Sequence, residues 1–290
     1  MERAWVRIAG VGLAMAAIGI PAGRFEAAKQ YTLAYKMNKA ATFAVQVARK
    51  HRNHRNFMGN DLITNSEGQR EYGFTVKSSN DDGLRLELEC TKREYKTDDT
   101  QALMSPDFSE LIGRKVNVSL SSTGELSDFK GFDDLPEIAI PGSDERLGEQ
   151  GYVNEVIALF LRLPKTPVAP GGSWSDVVQY NESVGDTTLP LTVNYTYTLM
   201  EETRYDGHDC VKIKGEYTIN MSGSLAFGGL DLALNLTGMG TDTIYFAWKK
   251  GMFLSAETHA VLKGSADNED MGVAIPMNHD IKTITSVRLD

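Results

Sequence analysis

The sequence predicts a mainly β protein of the α+β type, with one large curled antiparallel sheet of about 10–12 strands wrapped on one central helix near residues 144–163. Three observations predict it. Apolar and polar residues alternate with a period of two over most of the chain, short turns separate these runs, and one apolar stretch in the middle breaks the pattern. Strands with one apolar and one polar face are typical of an antiparallel sheet that is buried on one side only.

Residues 1–22 are typical of a secretory signal peptide. Glu2, Arg3 and Arg7 form a charged start, and a stretch of 13 uncharged residues rich in Ala, Gly and Ile follows. This apolar stretch is shorter than the ~20 residues of a membrane-spanning helix. The sequence therefore predicts export to the periplasm or the extracellular space, with cleavage after Ala22 or, as an alternative, after Ala16. The other interpretation is an uncleaved N-terminal membrane anchor.

The remaining chain, residues 23–290, is predicted to be a single acidic domain. The whole chain has a formal charge of −9 and residues 1–22 carry +1, so residues 23–290 carry −10. Because binding to nucleic acid usually needs a basic surface, no nucleic-acid partner is expected. The domain is divided into a first half (29–142), a helix (143–163), a linker (164–173) and a second half (174–290).

The period-two runs indicate at least about ten strands. Short turns join some of them, among them "SSTGE" (121–125), "YDGHD" (205–209) and "KKG" (249–251). The runs of the first half are 31–37, 43–47, 72–76, 84–88, 116–120 and 126–129. Those of the second half are 191–199, 211–221, 230–236, 244–248, 254–262 and 280–290.

One segment between the halves is predicted to be helical, from Ser143 to Leu163. Its last turns, Val156–Leu161, are apolar on every side, which is typical of a buried helix. We therefore expect it to pack on the apolar face of the sheet. Pro164 ends the helix because its ring cannot continue the turn. A second short helix is expected at Ser105–Arg114.

The linker carries a resemblance to a known group of proteins. Three features follow one another here: a helix that ends in Leu-Pro, a Pro-Val step, and a Gly-Gly-Ser-Trp stretch before a strand. Together they resemble a family of exported bacterial proteins of unknown function. Those proteins are similar in fold to the lipoprotein-carrier (LolA/LolB-like) half-barrels. The resemblance covers most of the chain in its layout. It implies a half-barrel wrapped on a helix and a cavity for an apolar ligand, and it carries over no functional residues. The matching pieces are Leu163-Pro164, Pro167-Val168, Gly171-Gly172 and Trp174.

The candidate site is an apolar cavity between the sheet and the helix. Ligand sites are mostly apolar and concave, and aromatic residues recur on one face of two predicted strands. The alternative interpretation is that these side chains only form the core. The expected lining residues are Val156, Phe160, Leu163, Tyr195, Tyr197, Phe246 and Trp248.

The stretch "HRNHRN" (51–56) places two histidines beside several cationic residues. On a helix, His51 and His54 would share a metal ion. After a strand that ends near Val47, we expect a solvated turn instead, and neighbouring cations oppose the binding of another cation. A weak contact to a phosphate or a lipid headgroup is the alternative. No metal or cofactor is expected.

The two cysteines are Cys90 and Cys210. Exported proteins form disulfides readily, but the strand phase places these two thiols on opposite faces of the sheet. The sequence leaves their pairing open and favours free thiols.

Together these observations predict an exported, non-enzymatic protein that binds an apolar or amphiphilic, lipid-like molecule between sheet and helix. After signal cleavage it is not expected to be an integral membrane protein. The alternative is a structural or interaction subunit of the cell envelope or surface, with a filled core and a protein partner instead of a small ligand.

Overall fold

A computed structural model describes residues 29–57, 59–99, 106–139, 146–184, 187–227, 230–268 and 271–289. The predicted signal peptide (1–22) lies outside these residues. Within them, no helix is both long and apolar enough to cross a membrane. The strands are β1 (Thr42–Phe57), β2 (Asn60–Asn80), β3 (Gly83–Thr97), β4 (Lys115–Ser121), β5 (Leu126–Lys130), β6 (Ile138–Ala139), β7 (Arg146–Leu147), β8 (Ser173–Val184), β9 (Thr187–Tyr205), β10 (His208–Phe227), β11 (Leu230–Ala247), β12 (Met252–Asn268) and β13 (Val273–Leu289), and the helix α1 (Glu149–Ile157) lies between β7 and β8.

In the described part of the chain, eleven strands form one antiparallel sheet in the order β5-β4-β3-β2-β1-β13-β12-β11-β10-β9-β8, and β6 and β7 form a separate pair. Strands β1 and β13 join the two halves of the chain, because they pair from Phe43 with Leu289 to Arg55 with Met277. Strands β5 and β8 are the two edges, so the sheet is open. The predicted mainly β class and the large antiparallel sheet are confirmed.

The sheet is strongly curled. Val47 on β1 and Tyr197 on β9 line the same cavity, although four strands lie between β1 and β9. In a flat sheet five strand spacings would separate them by about 24 Å. The face on which they lie is therefore concave.

The hairpin turns follow the sequence signals. Asp206 and Gly207, within "YDGHD", both have positive φ (48° and 77°), as a type I′ hairpin requires. The turns "SSTGE" and "KKG" join β4 to β5 and β11 to β12. These short connections make neighbouring strands antiparallel.

The predicted helix is much shorter in the structure. Helix α1 covers Glu149–Ile157, whereas 158–163, which we call the strap, leave the helical path. The strap finds hydrogen-bond partners elsewhere: the Leu163 N–H donates to the Thr123 carbonyl in the β4–β5 turn (2.9 Å). Its large apolar side chains, Leu159, Phe160, Leu161 and Leu163, are still buried. Over the described part of the predicted helix, residues 146–163, the concave face is thus covered by a short helix and an irregular strap; residues 143–145 lie outside the described residues.

The predicted strand 31–37 lies outside the sheet. Tyr31, Leu33 and Tyr35 are buried as the alternation predicts, but the backbone makes isolated contacts. The Tyr31 N–H donates to Val168 and the Tyr35 N–H to Ser122. This segment therefore crosses one end of the sheet next to the linker.

Two further expectations are corrected. Within the described part of the predicted second helix, residues 106–114, no helix forms, and residues 109–113 form successive turns, closed by bonds such as Leu111 N–H to the Phe108 carbonyl (3.0 Å). The runs 230–236 and 244–248 belong largely to the single strand β11, which continues through Gly238 and Gly240.

Both cysteines are free and buried, in separate apolar clusters.

Candidate functional site

A cavity of about 240 Å³ lies between the strap and the concave face of the sheet. We call it the tyrosine cavity, because four tyrosines of β8, β9 and β10 line it together with the strap. Strands β1, β12 and β13 add mainly apolar and threonine side chains to its wall. Its lining includes Val47, Leu159, Phe160, Leu161, Val178, Tyr180, Tyr195, Tyr197, Tyr217, Asp242, Ile244, Ala256, Thr258, Ile281 and Thr283.

The tyrosines are held by ring contacts along the sheet. Tyr195 and Tyr197 are two residues apart on β9, and their rings stack with centroids 5.3 Å apart. The ring centroid of Tyr217 on β10 lies 5.1 Å from that of Tyr195. Tyr217 lies flat over Gly240, where an added Cβ atom would be 2.2 Å from the tyrosine Cζ. The glycine in the middle of β11 thus makes room for the aromatic wall.

Asp242 is an acidic residue within this wall and is only 8% exposed. It pairs across the strands with Gly215 and Thr258, and a Cβ atom at Gly215 would lie 2.9 Å from its Oδ2 atom. Burial raises the pKa of Asp242 to about 6, although a hydrogen bond with Thr258 opposes this shift. Asp242 was not among the residues predicted from the sequence to line the site. Its phase with Ile244 and Phe246 on β11 was the available signal.

A second cavity, of about 290 Å³, adjoins the first and shares Val47, Arg49 and Arg70 with it. We call it the arginine cavity. Its cationic lining is Arg49, Arg70, Arg93 and Arg146, and its acidic lining is Glu94 and Glu155; the half-buried His51 also borders it. Apolar and cationic walls therefore meet within one continuous region of the concave face.

Glu155 of α1 fixes two of these arginines. Arg93 donates two hydrogen bonds to its carboxylate (2.7 and 2.8 Å), and Arg70 approaches at 2.5 Å. The Tyr72 hydroxyl donates a further bond at 3.0 Å. Burial alone would raise the pKa of Glu155, but the two guanidinium groups lower it to about 2. This cluster fastens α1 to β2 and β3.

The "HRNHRN" stretch is part of β1, which corrects the expected solvated turn. His51 and His54 do not converge. His51 Nε2 lies 3.0 Å from His279 Nδ1 with the rings stacked, and His54 contacts Asp61. Burial lowers the pKa of His51 to about 4, and the charge of Arg49 lowers it further. Within the described residues, no three His, Cys, Asp or Glu side chains form a group that could hold a metal ion.

The seven predicted lining residues separate into two groups. Phe160, Tyr195 and Tyr197 line the tyrosine cavity. The other four do not. Val156 borders a smaller cavity of about 20 Å³, Leu163 and Phe246 lie in the core cluster, and Trp248 lies 5.5 Å from Tyr31 at the end of the sheet.

No protein-family model matches the chain, and no curated protein sequence matches it either. The resemblance to lipoprotein carriers therefore stays a prediction.

Solved structures share parts of its layout. A lipovitellin structure, titled for its lipid–protein interactions, is similar at 12% identity over 87% of this chain, with a TM-score of 0.46; this chain spans 25% of that one. A putative exported protein with a YmcC-like fold from Bacteroides fragilis is 8% identical over 89% of this chain and all of its own, with a TM-score of 0.25. An outer membrane channel from Pseudomonas putida F1 is 11% identical over 88% of this chain and 98% of its own, with a TM-score of 0.27. At these scores the similarities carry no conclusion about function.

Proposed function

We propose that this protein is exported and binds an amphiphilic, lipid-like molecule between the strap and the concave face, without catalysing a reaction on it. One observation carries the proposal: the tyrosine and arginine cavities adjoin and share a wall. Their volumes, about 240 and 290 Å³, together fall within the range of about 300–1,000 Å³ that is typical of small-molecule sites.

The chemistry of the walls supports an amphiphile over a purely apolar molecule. Each methylene group that leaves water for the tyrosine cavity contributes about 0.8 kcal/mol. The neighbouring arginine cavity is too highly charged to favour an alkyl chain. A ligand with one apolar and one polar part matches both walls at once.

A substitution that fills the tyrosine cavity tests this proposal. Thr283 lines the cavity on β13, whereas its neighbour Ile284 faces away and is 54% exposed. Thr283→Phe should prevent binding of the neutral fluorescent probe N-phenyl-1-naphthylamine, because the new ring occupies the space of the ligand. Ile284→Phe adds an aromatic ring on the same strand and should leave the probe affinity unchanged.

Native mass spectrometry of gently purified protein completes the test. The proposal predicts a co-purifying lipid with the wild-type chain and with Ile284→Phe, and none with Thr283→Phe. No bound lipid and no probe binding in the wild type would contradict it. A stable protein partner without a lipid would then support the alternative, an interaction subunit with a filled core.

A further inference from the structure

The arginine cavity lies beside the space proposed for the apolar chain, and its chemistry indicates what kind of headgroup the ligand carries. We propose that it binds the anionic headgroup, a carboxylate or a phosphate, of an amphiphile whose chain lies in the tyrosine cavity. This inference rests on the proposed function and specifies the class of ligand.

The first support is charge. Four arginines and two glutamates line the arginine cavity, in a chain whose formal charge is −9. Glu155 forms ion pairs with both Arg93 and Arg70, so one carboxylate faces two guanidinium groups. The side chains of Arg93 and Arg70 are only 10% and 18% exposed. A partly desolvated excess of positive charge is unfavourable by itself. An anionic group within the cavity would offset it.

The second support is the arrangement along β1. Val47, Arg49 and His51 are successive side chains on the concave face, so the wall changes from apolar to cationic within about 7 Å. Opposite Arg49 on β2 is Gly68, and a Cβ atom there would meet only the Glu94 carbonyl oxygen at 3.9 Å. The position opposite Arg49 on β2 therefore carries no side chain, and Arg49 itself is exposed.

The third support is unmet hydrogen-bonding capacity next to the arginine cavity. Among the described residues, three buried polar atoms have no hydrogen-bond partner on the neighbouring part of β1 and β13: Asn53 Oδ1, Arg55 Nε and His279 Nε2. His279 contacts His51, which lines the cavity. A polar headgroup with its bound water is suited to this surface, whereas a bare alkyl chain is not.

Guanidinium groups bind carboxylate and phosphate through the same planar donor geometry. The structure thus supports an anionic oxygen headgroup as a class, and the two sources are separated by experiment. A cationic headgroup would have to lie against Asp242, at the other side of the shared wall. In that case cationic amphiphiles would bind more tightly than anionic ones, the opposite of what we propose.

The test is displacement of N-phenyl-1-naphthylamine from the full chain by amphiphiles with the same 12-carbon chain. Dodecanoate and dodecyl phosphate should compete at concentrations at least about tenfold lower than dodecyltrimethylammonium. Acetate and inorganic phosphate, which lack the chain, should not displace the probe. Whichever of dodecanoate and dodecyl phosphate binds more tightly identifies the headgroup.

Arg49→Gln should remove the preference for the anionic over the cationic amphiphiles. The preference is measured as the ratio of the concentrations at which the two compete, so that a change in probe affinity cancels, since Arg49 also borders the tyrosine cavity. Arg146→Gln, at another exposed position of the same cavity, should reduce the preference in the same direction. Arg52→Gln is the matched control, because Arg52 is exposed on β1 and belongs to the opposite face.

The outcomes separate the two proposals. If the probe does not bind, the proposed function fails and this inference fails with it. If the probe binds but the anionic and cationic competitors are equally effective, or the cationic one is stronger, the proposed function stands and the anionic headgroup is excluded. An unchanged preference in both Arg49→Gln and Arg146→Gln would also exclude it.

Discussion

Asp242 shows at the scale of one residue how the site departs from an ordinary core. It occupies a position that the alternation on β11 assigns to the buried face, and Gly215 and Thr258 on the neighbouring strands accommodate it. A carboxyl group at such a position reduces stability when it is ionised. Period-two patterns predict which positions face inward, but they do not predict that an inward position holds a charge, because alternation reports burial and not the chemistry of the side chain.

The raised pKa of Asp242 predicts a specific pH dependence of stability. Its pKa is 3.8 in the unfolded chain and about 6 in the folded one, so between these values the folded state binds more protons. Stability contributed by this residue is therefore lost as the pH rises from about 4 to about 6, by about 3 kcal/mol in total. Asp242→Asn should gain about this much relative to the wild type between pH 4 and pH 7, in urea unfolding experiments. Parallel pH profiles of the two proteins would contradict the assigned burial.

The histidine stretch 51–56 also departs from the period-two pattern. The sequence placed His51 and His54 in a turn, because the apolar alternation of β1 stops at Val47. The strand continues with Arg49, His51 and Asn53 on its concave face, so the pattern disappears where the arginine cavity begins. The ends of β1 and β2 were not predicted as strands because their polar and charged side chains interrupt the apolar alternation. The same side chains make these ends a candidate binding surface.

At the scale of elements, hairpins were predictable and the segments that cover the sheet were not. Turns such as "YDGHD" have local φ requirements that the residues themselves reveal. A continuous apolar run, by contrast, is equally compatible with a buried helix and a buried irregular segment. The strap adopts the second form because its backbone finds partners in the β4–β5 turn.

Phe160 anchors the strap, with its ring edge-on to Tyr35 at 5.6 Å and to Phe74 at 5.9 Å. Phe160→Ala should lower the free energy of unfolding by about 3–5 kcal/mol, since it removes a buried aromatic ring. Val177→Ala, at a position of β8 that is 56% exposed, should change it by less than about 0.5 kcal/mol. Equal effects of the two substitutions in urea unfolding would mean that the strap does not pack on the sheet.

At the scale of the whole molecule, the two halves of the chain form one sheet through β1 and β13. This pairing joins residues more than 200 positions apart, and no local signal in either strand specifies its partner. The sheet is open at β5 and β8 and curls around the strap, so that residues of β1 and β9 enclose a common space. The proposed binding surface thus depends on the curl of the sheet, because it combines residues from several strands.

A crystal structure with 12-bromododecanoate would show directly where an amphiphile binds, because the anomalous signal of bromine locates the end of the apolar chain. We expect one bromine peak among Tyr195, Tyr197 and Tyr217, and the carboxylate beside Arg49. The absence of a bound chain from the concave face, or a bromine peak on the outer face of the sheet, would contradict the central claim that the space between the strap and the sheet is a binding site.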